Sequence, residues 1–177
     1  MRKVIVIAVA AFLIGSGELA SPPAARAADT PATFELDPGT LTLTVPTQSV
    51  TLDTVTVGVL TVSGQLGNVS VDDERGLLPG SWTTSVVSSD FTGDTTDVTL
   101  PASRVAYTPG APTATSGTAD FTPGTAGEAI DTPRTASSAA DENGGAGISW
   151  DPAITITLPS AGQVADIYSG TITHSIA

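Results

Sequence analysis

From residue 40 onward the chain keeps returning to one pattern, a branched apolar residue followed by a small polar one. Leu41, Leu43 and Val45 alternate with Thr40, Thr42 and Thr44, and Val55, Val57 and Val59 repeat the pattern. Val69 and Val71, then Ile154, Ile156 and Leu158, then Ile172, His174 and Ile176 do the same. A two-residue period sends alternate side chains to opposite faces of a strand, and Leu-rich helical spacing is absent. Turn chemistry falls between these runs: Asp37-Pro38-Gly39, Gly64 with Gly67-Asn68, Pro79-Gly80, Thr92-Gly93-Asp94 and Pro109-Gly110. Short strands at this spacing predict an all-β fold, an antiparallel β-sandwich of about eight to ten strands. Residues 110–147 break the pattern, being rich in Ala, Thr, Gly, Ser and Pro with few large apolar side chains beyond Phe121 and Ile130. They are expected to form a long loop excursion, partly ordered near Phe121.

The first 27 residues are of another kind. Arg2 and Lys3 precede an unbroken apolar run from Val4 to Ile14, and Ala25-Arg26-Ala27 supplies a small-x-small cleavage site. This is the composition of a secretory signal peptide, with an apolar run of about 11 residues against the roughly 20 needed to span a membrane. Cleavage is expected after Ala27, leaving residues 28–177 as one exported domain. That domain holds three arginines (Arg75, Arg104, Arg134) against seventeen carboxylates, a net charge near −14. Such a surface repels nucleic acid and anionic lipid, so neither is an expected partner, and no membrane span is expected. The absence of cysteine excludes disulfides, thiolate metal sites and a lipidated cysteine. Export without a covalent tether then means free secretion or non-covalent retention outside the cell.

Residues able to carry catalysis are scarce. His174 is the only histidine, and its register with Ile172 and Ile176 makes it a structural residue of the last strand. No G-x-S-x-G elbow, P-loop or H-E-x-x-H pattern is present. Asp72, Asp73 and Glu74 raise the possibility of a calcium ion, the one cofactor considered, but consecutive strand residues point to opposite faces. The alternative is a local pair between Asp73 and Arg75, which share a face near the surface. Trp82 and Trp150 are suited either to fill a core otherwise made of small residues or to stack on sugar rings.

Several segments, in order, carry a family resemblance: Val71-x-Asp73-x-Arg75-Gly76 followed by Trp82, then Pro109-Gly110, Phe121-Thr122-Pro123-Gly124, Trp150-Asp151-Pro152 and Tyr168 to Ile176. Together they resemble the WxL-type surface domain of Gram-positive bacteria, most nearly its actinobacterial versions, over almost all of residues 28–177. Two positions depart from it: Thr84 stands where the name-giving Leu belongs, and His174 stands where Trp is typical. The resemblance implies an exported, non-catalytic protein held non-covalently to peptidoglycan or another wall polymer, and it implies other surface proteins as partners. Asp73, Arg75, Trp82, Trp150 and His174 match its motif and are the candidate binding residues. An envelope protein whose partner is another surface protein is the alternative reading, and a secreted hydrolase stands last.

Overall fold

The computed structural model describes residues 30–177. The expected signal peptide and its cleavage site lie outside the described residues. The chain divides into Met1–Glu35, of which residues 30–35 are described and are exposed without regular structure, and Leu36–Ala177, which carries all the regular elements.

The fold is all-β, and its sheets are antiparallel. Two long strands organise it, β3 (Val69–Ser88) and β10 (Arg134–Trp150), paired from Trp150 opposite Val69 to Arg134 opposite Val86. The first half of β3 also pairs with β1 (Leu41–Thr44), and the last residues of β10 pair with β7 (Pro112–Gly117). The second half of β3 pairs with β13 (Ile172–Ile176), and the start of β10 pairs with β8 (Asp120–Pro123). One ribbon thus carries two four-stranded surfaces, one at each end.

The two ends face each other because the ribbon folds over. Val69 and Trp82 are thirteen residues apart on β3, which in a straight strand is roughly 43 Å. Yet the rings of Trp82 and of Trp150, the partner of Val69, stack with centroids 6.3 Å apart. The bend lies where register slips three times in succession, between Asp73 and Trp82 on β3 and between Ala139 and Ala146 on β10. Gly76 on one strand, with Asp141 and Gly144 on the other, takes positive φ there. Such bulges sharpen twist and turn a strand corner.

A second sheet runs β2 (Thr61–Gln65), β11 (Ala153–Thr157), β6 (Val105–Thr108), β9 (Glu128–Ala129), and a third joins β12 (Tyr168–Ser169), β4 (Phe91–Gly93) and β5 (Thr99–Leu100). The buried face of β3 serves both cores. Val86 joins Val105, Tyr107, Ile130, Ile154 and Ile156, while Trp82 joins Val69, Val71, Ala139, Ile148 and Trp150.

The sandwich is as expected, but thirteen strands among the described residues exceed the eight to ten foreseen. Three of them, β5, β9 and β12, are two-residue bridges without an alternation of their own. The expected loop at 110–147 is corrected outright: it supplies β7, β8, β9 and most of β10. Ala and Ser have low strand preference in isolation, but strand preference follows packing context. Here Ala136, Ser137, Ala139, Ala146 and Gly147 lie buried in the strand that pairs on both sides. Conversely, Val55–Val59 forms no strand; it turns at Gly58 with its valines largely in solvent.

Candidate functional site

Four of the five candidate residues gather at the ribbon bend. Asp73 ends the straight part of β3, and its side chain points inward with Val69 and Val71. Arg75, two residues on, returns to it bidentately, with Nε donating to Oδ1 at 2.9 Å and Nη2 to Oδ2 at 2.6 Å. The Arg75 amide also donates to Oδ1. From the same guanidinium, Nη2 donates to the Ser81 carbonyl at 2.8 Å, so one side chain fastens both sides of the bend. The predicted Asp73–Arg75 pair exists, but Asp73 is 2 % exposed and not a surface residue. The arginine hydrogen bonds hold its carboxyl well below the usual range.

Trp82 follows at 3 % exposure and stacks nearly parallel on the wholly buried Trp150, while Phe121 packs against Trp150 at 5.8 Å. Both tryptophans are core. In this conformation neither ring presents a face to a sugar, and their stacking energy is spent on each other. His174 lies apart from Asp73 and Arg75, on β13 opposite Val86. It connects to the cluster through Tyr107, whose hydroxyl lies 3.1 Å from His174 Nε2 and accepts from Trp150 Nε1 at 3.5 Å. Since the indole can only donate, the phenol proton is free to point at His174 Nε2, which is then the bare ring nitrogen. Burial keeps the imidazole neutral, lowering its pKa to about 4, and raises Tyr107 to about 12.

The residue that sequence reasoning missed is Glu142. It sits on β10 opposite Gly80, is 1 % exposed, and has no hydrogen-bond partner for either carboxylate oxygen. Trp82 Nε1 is likewise buried without a partner. Gly80 makes room for it: a Cβ there would lie 2.8 Å from Glu142 Oε2. Burial first, and Asp73 second, push the Glu142 carboxyl up to about 7. The signal was hidden because Asp141-Glu142-Asn143-Gly144-Gly145 reads as an exposed turn, whereas Asp141 at φ 53° and the flanking bulges rotate Glu142 inward.

Asp72, Asp73 and Glu74 do not converge on an ion. Asp73 is taken by Arg75, its neighbours are exposed, and Glu74 offers its carbonyl to the Gly39 amide. No group of three or more His, Asp or Glu among the described residues is placed to hold a metal.

The exposed side of the same ribbon end is a different surface. Register places Thr44, Ser70, Ser149 and Ala114 in one row across four strands, and Thr42, Asp72, Gly147 and Ser116 in the next. Gly147 lets the Asp72 and Ser116 side chains close over the strand, since a Cβ there would meet Asp72 Oδ1 and Ser116 Oγ at 2.7 Å each. The hollow measures about 180 Å³ and is lined by the hydroxyl residues Ser70, Thr115, Ser116 and Ser149, by Asp72, and by Ala114, Gly147 and Ile148. None of the described helices is long and apolar enough to cross a membrane. No family model, curated protein or solved structure matches this chain.

Proposed function

We propose that this is a non-catalytic surface protein that associates non-covalently with the bacterial cell wall, through the exposed hydroxyl face of β1, β3, β10 and β7. The observation that carries this reading is the pair of polar rows over Gly147, a shallow trough bearing a single formal charge on a chain of net charge −12. Neutral glycan is met by hydroxyls and by a carboxylate accepting from sugar hydroxyls, and that is what the trough offers. The resemblance to WxL-type domains points the same way. In this reading Asp73, Arg75, Trp82 and Trp150 hold the face rigid from beneath and do not touch the polymer. Anionic wall polymer repels the domain over a distance that salt shortens to about 8 Å, so added salt or calcium strengthens attachment.

Sedimentation with purified walls tests this. Ser116→Trp fills the trough from an exposed edge position, and it should cut the sedimented fraction several-fold at an unchanged melting temperature. Wild-type binding by that variant, or loss of wild-type binding at moderate salt, overturns the reading. A second reading has its own observation: β7 is exposed along all six residues and pairs on one side only. A partner strand could add to that edge, making another surface protein the ligand. Failure to bind purified walls together with retention on intact cells selects it.

A further inference from the structure

We propose that Glu142 and Asp73 share one proton, and that this shared proton is a pH-sensitive latch closing the bend of the β3–β10 ribbon. The geometry begins with an imbalance. Two carboxylates are buried at the bend, Asp73 and Glu142, and one guanidinium, Arg75, is present to neutralise them. Arg75 is committed to Asp73 through both of its forks and to Ser81 beyond it. Glu142 is left with both oxygens buried and without a hydrogen-bond partner. A buried ionised carboxylate in that position is strongly unfavourable, so the group stays protonated instead. A single proton on Glu142 brings the cluster to neutrality. The Glu142 O–H then faces the Asp73 carboxylate, its neighbour in the cluster, with the buried Trp82 indole N–H beside the same site. Loss of the proton to solvent leaves two negative charges against one positive charge in a buried site.

The charged groups facing Glu142 are Asp73 and Arg75, both from β3. Its own neighbour Asp141 is exposed, as is Asp120 of β8, which stands beside Ala140. The element held by the latch is Gly76–Gly80, joined to β10 at Glu142–Gly80 and Gly144–Leu77. Leu78 in that segment is 75 % exposed and Leu77 about half so, making it an apolar tip that ionisation of Glu142 would loosen.

The sign follows from burial. Glu142 titrates near 7 in the fold and near 4.5 when unfolded, so the folded state holds the extra proton across that window. Stability from this site is therefore complete below the unfolded value and falls as pH rises to about 7, then levels off. His174 titrates in an overlapping window with the opposite sign, so the experiment compares wild type with Glu142→Gln, in which the His174 contribution cancels. Glutamine keeps the shape and a donor toward Asp73 but cannot ionise. The unfolding equilibrium constant of wild type relative to Glu142→Gln should rise on the order of 100-fold between pH 4.5 and pH 8. Protection factors of the Leu77 and Gly80 amides, corrected for the intrinsic pH dependence of exchange, should fall over the same range in wild type and not in the variant. Parallel curves for the two proteins overturn the latch. If Glu142→Gln does not fold, the carbon-13 titration of the Glu142 carboxyl in wild type decides: a midpoint near 7 supports the proposal, and one in the ordinary carboxylate range refutes it.

Discussion

His174 shows how one residue's surroundings set its chemistry. On a free peptide its ring would titrate in the middle of the physiological range; here it is half-buried under Tyr107 and stays neutral down to about pH 4. The unfolded chain takes up a proton near 6.5 while the folded chain does not, so stability present above 6.5 is lost as pH falls toward 4. The loss amounts to as much as about 3 kcal/mol. His174→Gln retains a polar partner for the Tyr107 hydroxyl without the charge. Denaturant midpoints measured from pH 7 to pH 4 should therefore fall more steeply in wild type than in His174→Gln, and equal slopes would sink this account. That His174 faces inward was legible from its register with Ile172 and Ile176. Its partner was not, because Tyr107 lies 67 positions away and nothing local marks the pairing.

At the scale of elements, the bend of β3 is the decisive feature, and Arg75 is its clasp. Removing the guanidinium leaves Asp73 buried and uncompensated beside Glu142, a situation that typically costs about 3–5 kcal/mol. Arg75→Ala should lose roughly that much in equilibrium unfolding, and Arg75→Lys should recover only part of it, because an ammonium cannot make the two-point contact. Full recovery by lysine would show that charge alone matters. Trp82→Ala and Trp150→Ala test the floor of the same bend. Each should cost about 3–5 kcal/mol, whereas a melting temperature unmoved by either change would mean that the rings are not the core. The straight strands were readable from their alternation. The bend was not, because its residues (Gly76, Pro79-Gly80, Asn143-Gly144-Gly145) are those that elsewhere close loops. β10 was missed for a related reason. Apart from Glu142, its inner positions before Ile148 are Ala, Ser and Gly, which acquire strand character only when Trp82, Trp150 and Phe121 supply the volume that they lack.

For the whole molecule, charge is the term that the fold leaves unresolved. Of the three arginines among the described residues, Arg75 alone forms an ion pair, with Asp73. Arg104 and Arg134 reach backbone carbonyls instead, at Thr157 and Ala129. Most carboxylates therefore face solvent without a cation, and a chain of net charge −12 repels itself. At low ionic strength that repulsion is barely attenuated, since screening extends over about 30 Å at 0.01 M but only about 8 Å at 0.15 M. The unfolded chain spreads the same charges apart and feels less of it. Sodium chloride should therefore stabilise the protein at pH 7, the opposite of its effect on a surface held by ion pairs. For a domain of this size each 1 kcal/mol gained raises the melting temperature by about 2–4 °C. A rise of several degrees between 10 and 150 mM salt is thus expected, and most of it should come before 100 mM, where screening changes fastest. Neutralising two exposed carboxylates away from the trough, as in Asp97→Asn with Asp131→Asn, should reduce the rise without touching the core. A melting temperature that is flat or falls with salt would overturn the claim that self-repulsion among unpaired carboxylates weakens the fold.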